Sequence, residues 1–542
     1  MRKWFIPVAV LAAHLATAQS QTPDPATFKT KAPSNWFNLD YTADNVRGVS
    51  TEKAYELLKG RKSTPVIVGI IDSGIDINHE DLKDKIWTNA KEIPDNGKDD
   101  DGNGYIDDVH GWNFLGNKDG KNVDKESLEL TREYAKYNKL FEGKAEADIP
   151  ADQKDAFTYY QELKIAYNEK AQESKMMYPL IQNIYKNYIE SEKVLQEYFK
   201  KDVITPEDLA KIDMGTADAK LKKAKSVFDQ SFQRGYDKPQ LEEALDHYKT
   251  ESEIQLNPDF NARKEIIGDD PENTNDHNYG NNDVIGPDAR HGTHVAGIIA
   301  ADRHNNLGMK GVAENVKILV IRAVPDGDER DKDVANAIRY AVDNGAQIIN
   351  MSFGKAYSPQ KGAVDEAVQY AASKNVLIVH AAGNESENTD IENNFPTRNY
   401  LNNAGQAANW IEVGALSWKP NEVASFSNYG KTAVDLFSPG VAIYSTVPGS
   451  KYEELDGTSM ASPVAAGVAT LLKSYFPKLS AVQLKQILME STVKFPQQEV
   501  NQPGGEGTKV PFGDLSVTGG EINAYQAVKM ALAMEKAGKL KS

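Results

Sequence analysis

Apolar residues along this chain fall into two patterns. Short continuous runs, rich in β-branched side chains, occupy 65–71, 316–321, 347–351, 376–381, 411–415 and 434–437. A run of that length without polar alternation predicts a strand covered on both faces, as in a parallel sheet. Between the runs, 332–343 and 361–373 repeat apolar residues at helical spacing. Strands alternating with helices predict an α/β fold, a parallel sheet with helices on both faces.

The stretch 117–280 breaks this rhythm. Its composition shifts to Lys, Glu, Gln and Tyr, and Ile181, Ile184, Tyr188, Ser191, Leu195 and Phe199 recur at helical spacing. Thr205-Pro206-Glu207-Asp208 supplies a capping hydroxyl, a first-turn proline and carboxylates at the positive end of a helix. The stretch is too long for a structureless loop inside a compact domain. It predicts an inserted all-α subdomain of several antiparallel helices, with the apolar stripe as an internal seam and a protein partner as an open alternative.

The organisation expected is therefore a signal at 1–18, a lead-in at 19–60, a first part of the sheet domain at 61–116, the helical insert at 117–280, and a second part at 281–537. The signal rests on Arg2 and Lys3, an apolar run at 4–13, and the small-x-small pattern Ala16-Thr17-Ala18. It predicts export to the periplasm or the medium, with no integral membrane segment in the mature chain. The chain has 542 residues, 40% hydrophobic and 26% charged, with a formal net charge of −17. That acidity argues against nucleic acid as a partner, because phosphate binding needs a basic face. There is no cysteine, so disulfides contribute nothing.

Three strings carry chemistry: IIDSGID around Asp72, RHGTHVAG around His291, and GTSMASPVAAG around Ser459. They supply a carboxylate, an imidazole and a hydroxyl in one of the chain orders used by serine hydrolases. Asp72 follows the first buried run directly, and His291 and Ser459 each open an Ala- and Val-rich helical stretch. A fourth string, AAGN, ends in Asn384.

With these strings, over roughly 36–115 and 281–535, the chain resembles the subtilisin-like serine proteases (subtilases). The resemblance implies a subtilisin-like fold and a serine endopeptidase acting on protein or peptide substrates through an acyl-enzyme. Ser459 would be the nucleophile, His291 the general base and Asp72 its partner. The Asn384 amide and the Ser459 N–H would donate to the oxyanion. Substrate would lie extended between Ser352-Phe353-Gly354 and Val324-Pro325-Asp326-Gly327, with Ala381, Ala382 and Gly383 lining the primary pocket. An inactive binding protein of the same fold, and a transpeptidase using the same acyl-enzyme, remain open.

Four further features bear on function. Asp326-Gly327-Asp328-Glu329-Arg330-Asp331 sets four carboxylates beside the expected groove; a preference for basic substrate residues and a solvated loop are the two readings. Arg290 stands where the resembled family has Gly. His294 shares a helical turn with His291, but no carboxylate follows as in zinc helices, so internal packing is expected. No cofactor is required for the chemistry, but Asp99, Asp101, Asn103, Tyr105 and Asp107 follow the spacing of a calcium loop that lacks its final Glu, His110 taking that place. Structural calcium and a metal-free Asx-rich turn are both open.

Overall fold

The computed structural model describes residues 31–505 and 507–540. The expected signal at 1–18 lies outside the described residues. The chain forms two compact units. One is Leu130–Phe260; the other joins 31–129 to 261–540.

The second unit is built on the apolar runs. They become β1 (Val66–Asp72), β3 (Val316–Arg322), β4 (Ile348–Met351), β5 (Leu377–Ala381), β6 (Trp410–Leu416) and β7 (Leu436–Pro439), joined by β2 (Gly111–Asn113). Their order is β7-β6-β5-β4-β1-β3-β2, and every neighbouring pair is parallel. Two two-residue strands extend the sheet beyond β7: Gly520–Glu521 is parallel to it, and Val493–Lys494 is antiparallel to Gly520–Glu521. The short strands escaped the sequence reading because two or three residues carry no periodicity.

β1 shows why continuous apolar runs were needed. Val66, Val68 and Ile70 pack into one cluster with Val295, Ile298 and Ile299 of helix Arg290–Ala300 and with Val464 and Val468 of helix Thr458–Tyr475. Ile71 faces the other way, into a cluster with Leu319, Val334 and Ile338 of helix Asp331–Asp343 and Val364 and Val368 of helix Lys361–Ser373. Each fully buried side chain of this kind contributes about 1.5–3 kcal/mol. The helices thus cover both faces.

The lead-in is part of this unit. Trp36, Phe37, Val46, Val49, Ala54 and Leu58 all join the first cluster. Trp36 is fully buried, and its indole N–H is shared between the carbonyls of Val441 and Ala442, at 3.1 and 3.0 Å.

The helical unit holds helix Lys154–Phe199, 46 residues long, packed by helices Ala219–Arg234 and Lys238–Thr250. Tyr188 and Leu195 meet Leu221, Phe228 and Leu241 in a buried cluster, with Ile184 and Phe199 against it. The apolar stripe is therefore an internal seam over these positions. Thr205 and Asp208 form a capping box, but the helix they start stops at Leu209.

The helical unit is narrower than the stretch 117–280. Residues 117–129 and 261–280 belong to the sheet unit. The physical cause is a buried ionic network. Arg263 bonds Asp269 and Asp333 at 2.8 and 2.6 Å, Lys332 bonds Asp269 and Asp276 at 2.7 and 3.0 Å, and the Tyr279 hydroxyl donates to Asp333 at 2.7 Å. Asp269 stays below the usual carboxylate range: burial pushes it up, but the Arg263 and Lys332 cations outweigh that. Such pairs are costly to break from one side, because the remaining charge is left buried.

Replacing Trp36 with Ala tests whether the lead-in is structural. Loss of a fully buried Trp is expected to destabilise the sheet unit by about 3–5 kcal/mol, read as a lowered denaturation midpoint. An unchanged midpoint would show that residues before β1 are dispensable to the fold.

Candidate active site

β1 lies in the interior of the sheet, and Asp72 is its last residue. Open α/β sheets place ligands along this carboxyl edge. The Asp72 side chain is 2% exposed, and its Oδ1 accepts from His291 Nδ1 at 2.7 Å and from Ser73 N at 2.8 Å. Because Oδ1 is the acceptor, Nδ1 carries the proton and Nε2 keeps its lone pair. The first turn of the His291 helix approaches closely enough only because the next residue is glycine. A Cβ at Gly292 would collide with the Gly74 carbonyl and stand 3.1 Å from Asp72 Oδ1.

Ser459 is the second residue of helix Thr458–Tyr475. Its hydroxyl donates to the Ser352 carbonyl at 3.0 Å rather than to His291, and Ser352 Oγ returns a bond to the Ser459 carbonyl at 2.9 Å. Asn350 Nδ2 donates to Ser352 Oγ, and Ser462 Oγ to Asn350 Oδ1, both at 2.9 Å. The end of β4 and the start of the Ser459 helix are thus stitched together. Asn384 Oδ1 accepts from Thr458 N at 2.8 Å and from Thr458 Oγ1 at 3.0 Å. A backbone N–H can only donate, so the Asn384 atom facing it is the oxygen, leaving Nδ2 to donate elsewhere.

Desolvation lowers the proton affinity of His291 most strongly of the single causes, but the Asp72 charge and hydrogen bond, helped by Asp288, raise the net value above that of an ordinary imidazole. Arg290 opposes this only weakly; it pairs with Glu453 instead of facing the ring. His294 packs inside as expected. Burial pushes it down to about 3, and its Nε2 donates to the Glu453 carbonyl at 3.2 Å.

His291 opens onto a cavity of about 270 Å³ lined also by Asp72, Asp124, Asp288, Asp326 and Ser352. Asp124 and Asp288 were missed in the sequence. Asp288 stands three residues before His291, which is a usable signal; Asp124 gives none, because it arrives from a distant loop.

Asp326 lines this cavity with its main chain already hydrogen-bonded. Its N–H donates to the Asp124 carbonyl and its own carbonyl accepts from Glu126 N, both at 2.9 Å, while its carboxylate lies 3.2 Å from Lys125. Its main chain is engaged within the protein. Gly327 follows with a φ of 137°, where a Cβ would collide with the Glu126 carbonyl. The acidic run is likewise tied inward. Asp328 accepts from Glu129 N, Asp331 bonds Lys355, both at 2.8 Å, and burial pushes Glu329 up to about 8. Of the four carboxylates, Glu329 and Asp331 are buried and Asp328 holds a main-chain N–H, while Asp326 is 44% exposed and lines the cavity at His291. Phe353 and Gly354 follow β4; Ala381 and Ala382 are buried, and Gly383 N donates to Thr458 Oγ1 at 3.1 Å.

The five residues with calcium-loop spacing lie on one turn, where Asp99 accepts from the N–H groups of Asn103 and Gly104 at 3.1 and 2.8 Å. Asp99 and Asp101 remain together. The Asp107 carboxylate accepts from the N–H groups of Asn96 and Gly97 at 3.1 and 2.8 Å. Asn103 donates to Asp108 at 3.0 Å and accepts from Tyr105 N at 2.8 Å. The Tyr105 ring packs edge-on against Trp112 and Tyr340, at 5.0 and 4.8 Å between centroids.

Residues 63–507 match the model of the subtilase family, described as Peptidase_S8. Among curated relatives, the chain is 38% identical over 239 residues to the thermophilic serine proteinase of Bacillus sp. (strain AK1), covering 44% of this chain and 52% of that protein. It is 39% identical over 200 residues to subtilisin BL of Lederbergia lenta, covering 36% and 68%. It is 36% identical over 240 residues to thermitase of Thermoactinomyces vulgaris, covering 44% and 75%. The chain thus spans about half the length of the first of these relatives.

Titrating the His291 ring by NMR should give a midpoint above that of a free imidazole, and Asp288→Asn should move it down by removing a nearby negative charge. An unchanged midpoint in Asp288→Asn would mean that this carboxylate does not act on the ring.

Proposed function

The chain belongs to the subtilase family, and we propose that it is an exported serine endopeptidase using Asp72, His291, Ser459 and Asn384. The observation that carries this reading is the 2.7 Å bond from His291 Nδ1 to a buried Asp72, on the sheet edge where the Ser459 helix also begins. His291 Nε2 is left as a base.

In the proposed cycle the Ser459 side chain rotates from the Ser352 carbonyl toward His291 Nε2. A serine hydroxyl is a weak nucleophile until a base removes its proton during attack. Ser459 Oγ adds to the scissile carbonyl, and its proton passes to His291. The tetrahedral oxyanion takes hydrogen bonds from Asn384 Nδ2 and from Ser459 N, a helix-start N–H without an intrahelical acceptor. The C–N bond breaks, and His291 gives its proton to the leaving amine. Water then attacks the resulting ester with His291 again as base, releasing the carboxylic acid and restoring Ser459. The Asp72 charge favours the imidazolium formed in each half.

Peptide substrate lies extended between Ser352-Phe353-Gly354 and the 324–327 segment, with Gly327 offering main-chain groups in place of Asp326. Main-chain pairing gives affinity for many sequences. Ala381, Ala382 and Gly383 border the primary pocket. Export rests on the charged start and apolar run before Gln19; among the described residues no helix is long and apolar enough to cross a membrane.

A fluorophosphonate probe should label the wild-type protein and leave Ser459→Ala unlabelled; equal labelling of both would remove Ser459 as nucleophile. Asn384→Ala should keep its KM and lose turnover by about 10²–10³, a magnitude known for the asparagine of this family and carried over to this chain. Unchanged turnover on a peptide substrate would remove Asn384 from the oxyanion site.

A further inference from the structure

The cavity onto which His291 opens holds more negative charge than the catalytic reading uses. Asp72, Asp124, Asp288 and Asp326 all line it. The permanent cation of the lining is Arg322. Its guanidinium donates to the carbonyls of Ser73 and Val123 and to the Asn113 amide oxygen, so it is spent on neutral acceptors. Asp72 is 2% exposed, and its bond to His291 is made at Oδ1. Its Oδ2 has no hydrogen-bond partner. A buried carboxylate oxygen without a donor is costly, and the charge of Asp72 is left only partly matched. Among the described residues, no hydrogen-bond donor meets the Asp124 carboxylate. Burial pushes Asp124 up; Lys125 and Arg322 oppose this, while Asp326 and Asp288 add to it.

We propose that this cavity is a subsite for a cationic group of the substrate, an ammonium or guanidinium held by Asp124 and Asp288 close to the cut bond; the proposal rests on the protease reading of the same site. At about 270 Å³, the cavity is smaller than pockets for drug-sized ligands, which start at about 300 Å³. That size suits one side chain or one chain terminus. A neutral group placed there would desolvate the carboxylates and leave them unpaired, so the cavity selects against it. Partly buried charges are also screened less by salt than exposed ones.

Both carboxylates are carried on fixed main chain. The Val123 carbonyl accepts from Arg322 at 2.6 Å, and the Asp124 carbonyl from Asp326 N at 2.9 Å. Asp124 is thus pinned on either side of its Cα. Asp288 Oδ1 accepts from Arg290 N at 2.9 Å, at the start of the His291 helix. Asp326 sits 3.2 Å from Lys125, which leaves Asp124 and Asp288 to answer a substrate cation. Groups held in place before binding lose little freedom when the ligand arrives.

The experiment digests a randomised peptide pool with the full chain, once with free and once with acetylated amino termini, and identifies the products by mass spectrometry. Enrichment of Lys and Arg at one position near the cut, in both pools, assigns the cation to a side chain. Cleavage confined to the free pool, at a fixed short distance from the terminus, assigns it to the α-ammonium. The preferred peptide is then compared with its neutral counterpart, norleucine for Lys or the acetylated terminus. Asp124→Asn should lower kcat/KM for the cationic peptide about tenfold or more and leave the neutral one nearly unchanged. Should circular dichroism show that variant unfolded, Asp288→Asn makes the same comparison. Equal cleavage of both peptides by the wild type overturns the proposal, as does an undiminished preference in a folded variant. Calorimetry of the same peptides with Ser459→Ala keeps the two readings apart. Tighter binding of the cationic peptide without cleavage by the wild type supports the subsite and sinks the protease; cleavage without the preference sinks the subsite alone.

Discussion

β1 is paired along both edges and buried on both faces, and the rest of the sheet unit depends on that placement. Its register with β3 runs over all seven residues, Val66 to Asp72, and four of them also pair with β4. A strand held in this way cannot slip by one residue without turning Val68 and Ile70 away from the cluster they fill. The position of Asp72 is thereby fixed by packing that has nothing to do with its chemistry. The His291 helix lies on the same cluster as Val68 and Ile70, so one set of apolar contacts brings both members of the 2.7 Å hydrogen bond into place.

Polar contacts do the finer positioning. Arg322 is 1% exposed and donates to the carbonyls of Ser73 and Val123 and to Asn113. Its direct acceptors are neutral, and burial pulls it down to about 10, while Asp124, Asp283 and Asp288 supply opposing charge at longer range. One buried cation therefore joins the loop after β1, the edge strand β2 and the loop that brings Asp124 to the cavity. The network around Arg263 and Lys332 does the same for residues 261–280. These groups carry little net stabilisation compared with apolar packing, but they are costly to leave half-paired.

The candidate site was legible at the residues where a local string and a strand or helix boundary coincide. Asp72 ends an apolar run, and His291 and Ser459 open helices; each was placed by a pattern of a few neighbours. The main-chain bonds of Asp326 were not legible, because their partners, Asp124 and Glu126, stand some two hundred positions earlier. The direction of the Ser459 hydroxyl was equally hidden, since the competing acceptor is the Ser352 carbonyl. The compact helical unit is narrower than 117–280 for a related reason: 261–280 is polar, yet the Arg263 and Asp269 side chains within it are buried and paired with Asp333 and Lys332.

By itself the sequence determined the alternation of strands and helices, the long helical insert, and the three strings that carry the chemistry. Hydrophobic periodicity and capping act over a few residues, so they can be read from neighbours alone. Only the tertiary structure decided which carboxylates line the cavity at His291, that the main chain of Asp326 is bonded to Asp124 and Glu126, and that Glu92 meets Asp99 and Asp101. A polar group is defined by the partner that satisfies it, and that partner is chosen by distance in space, which the order of residues along the chain does not encode.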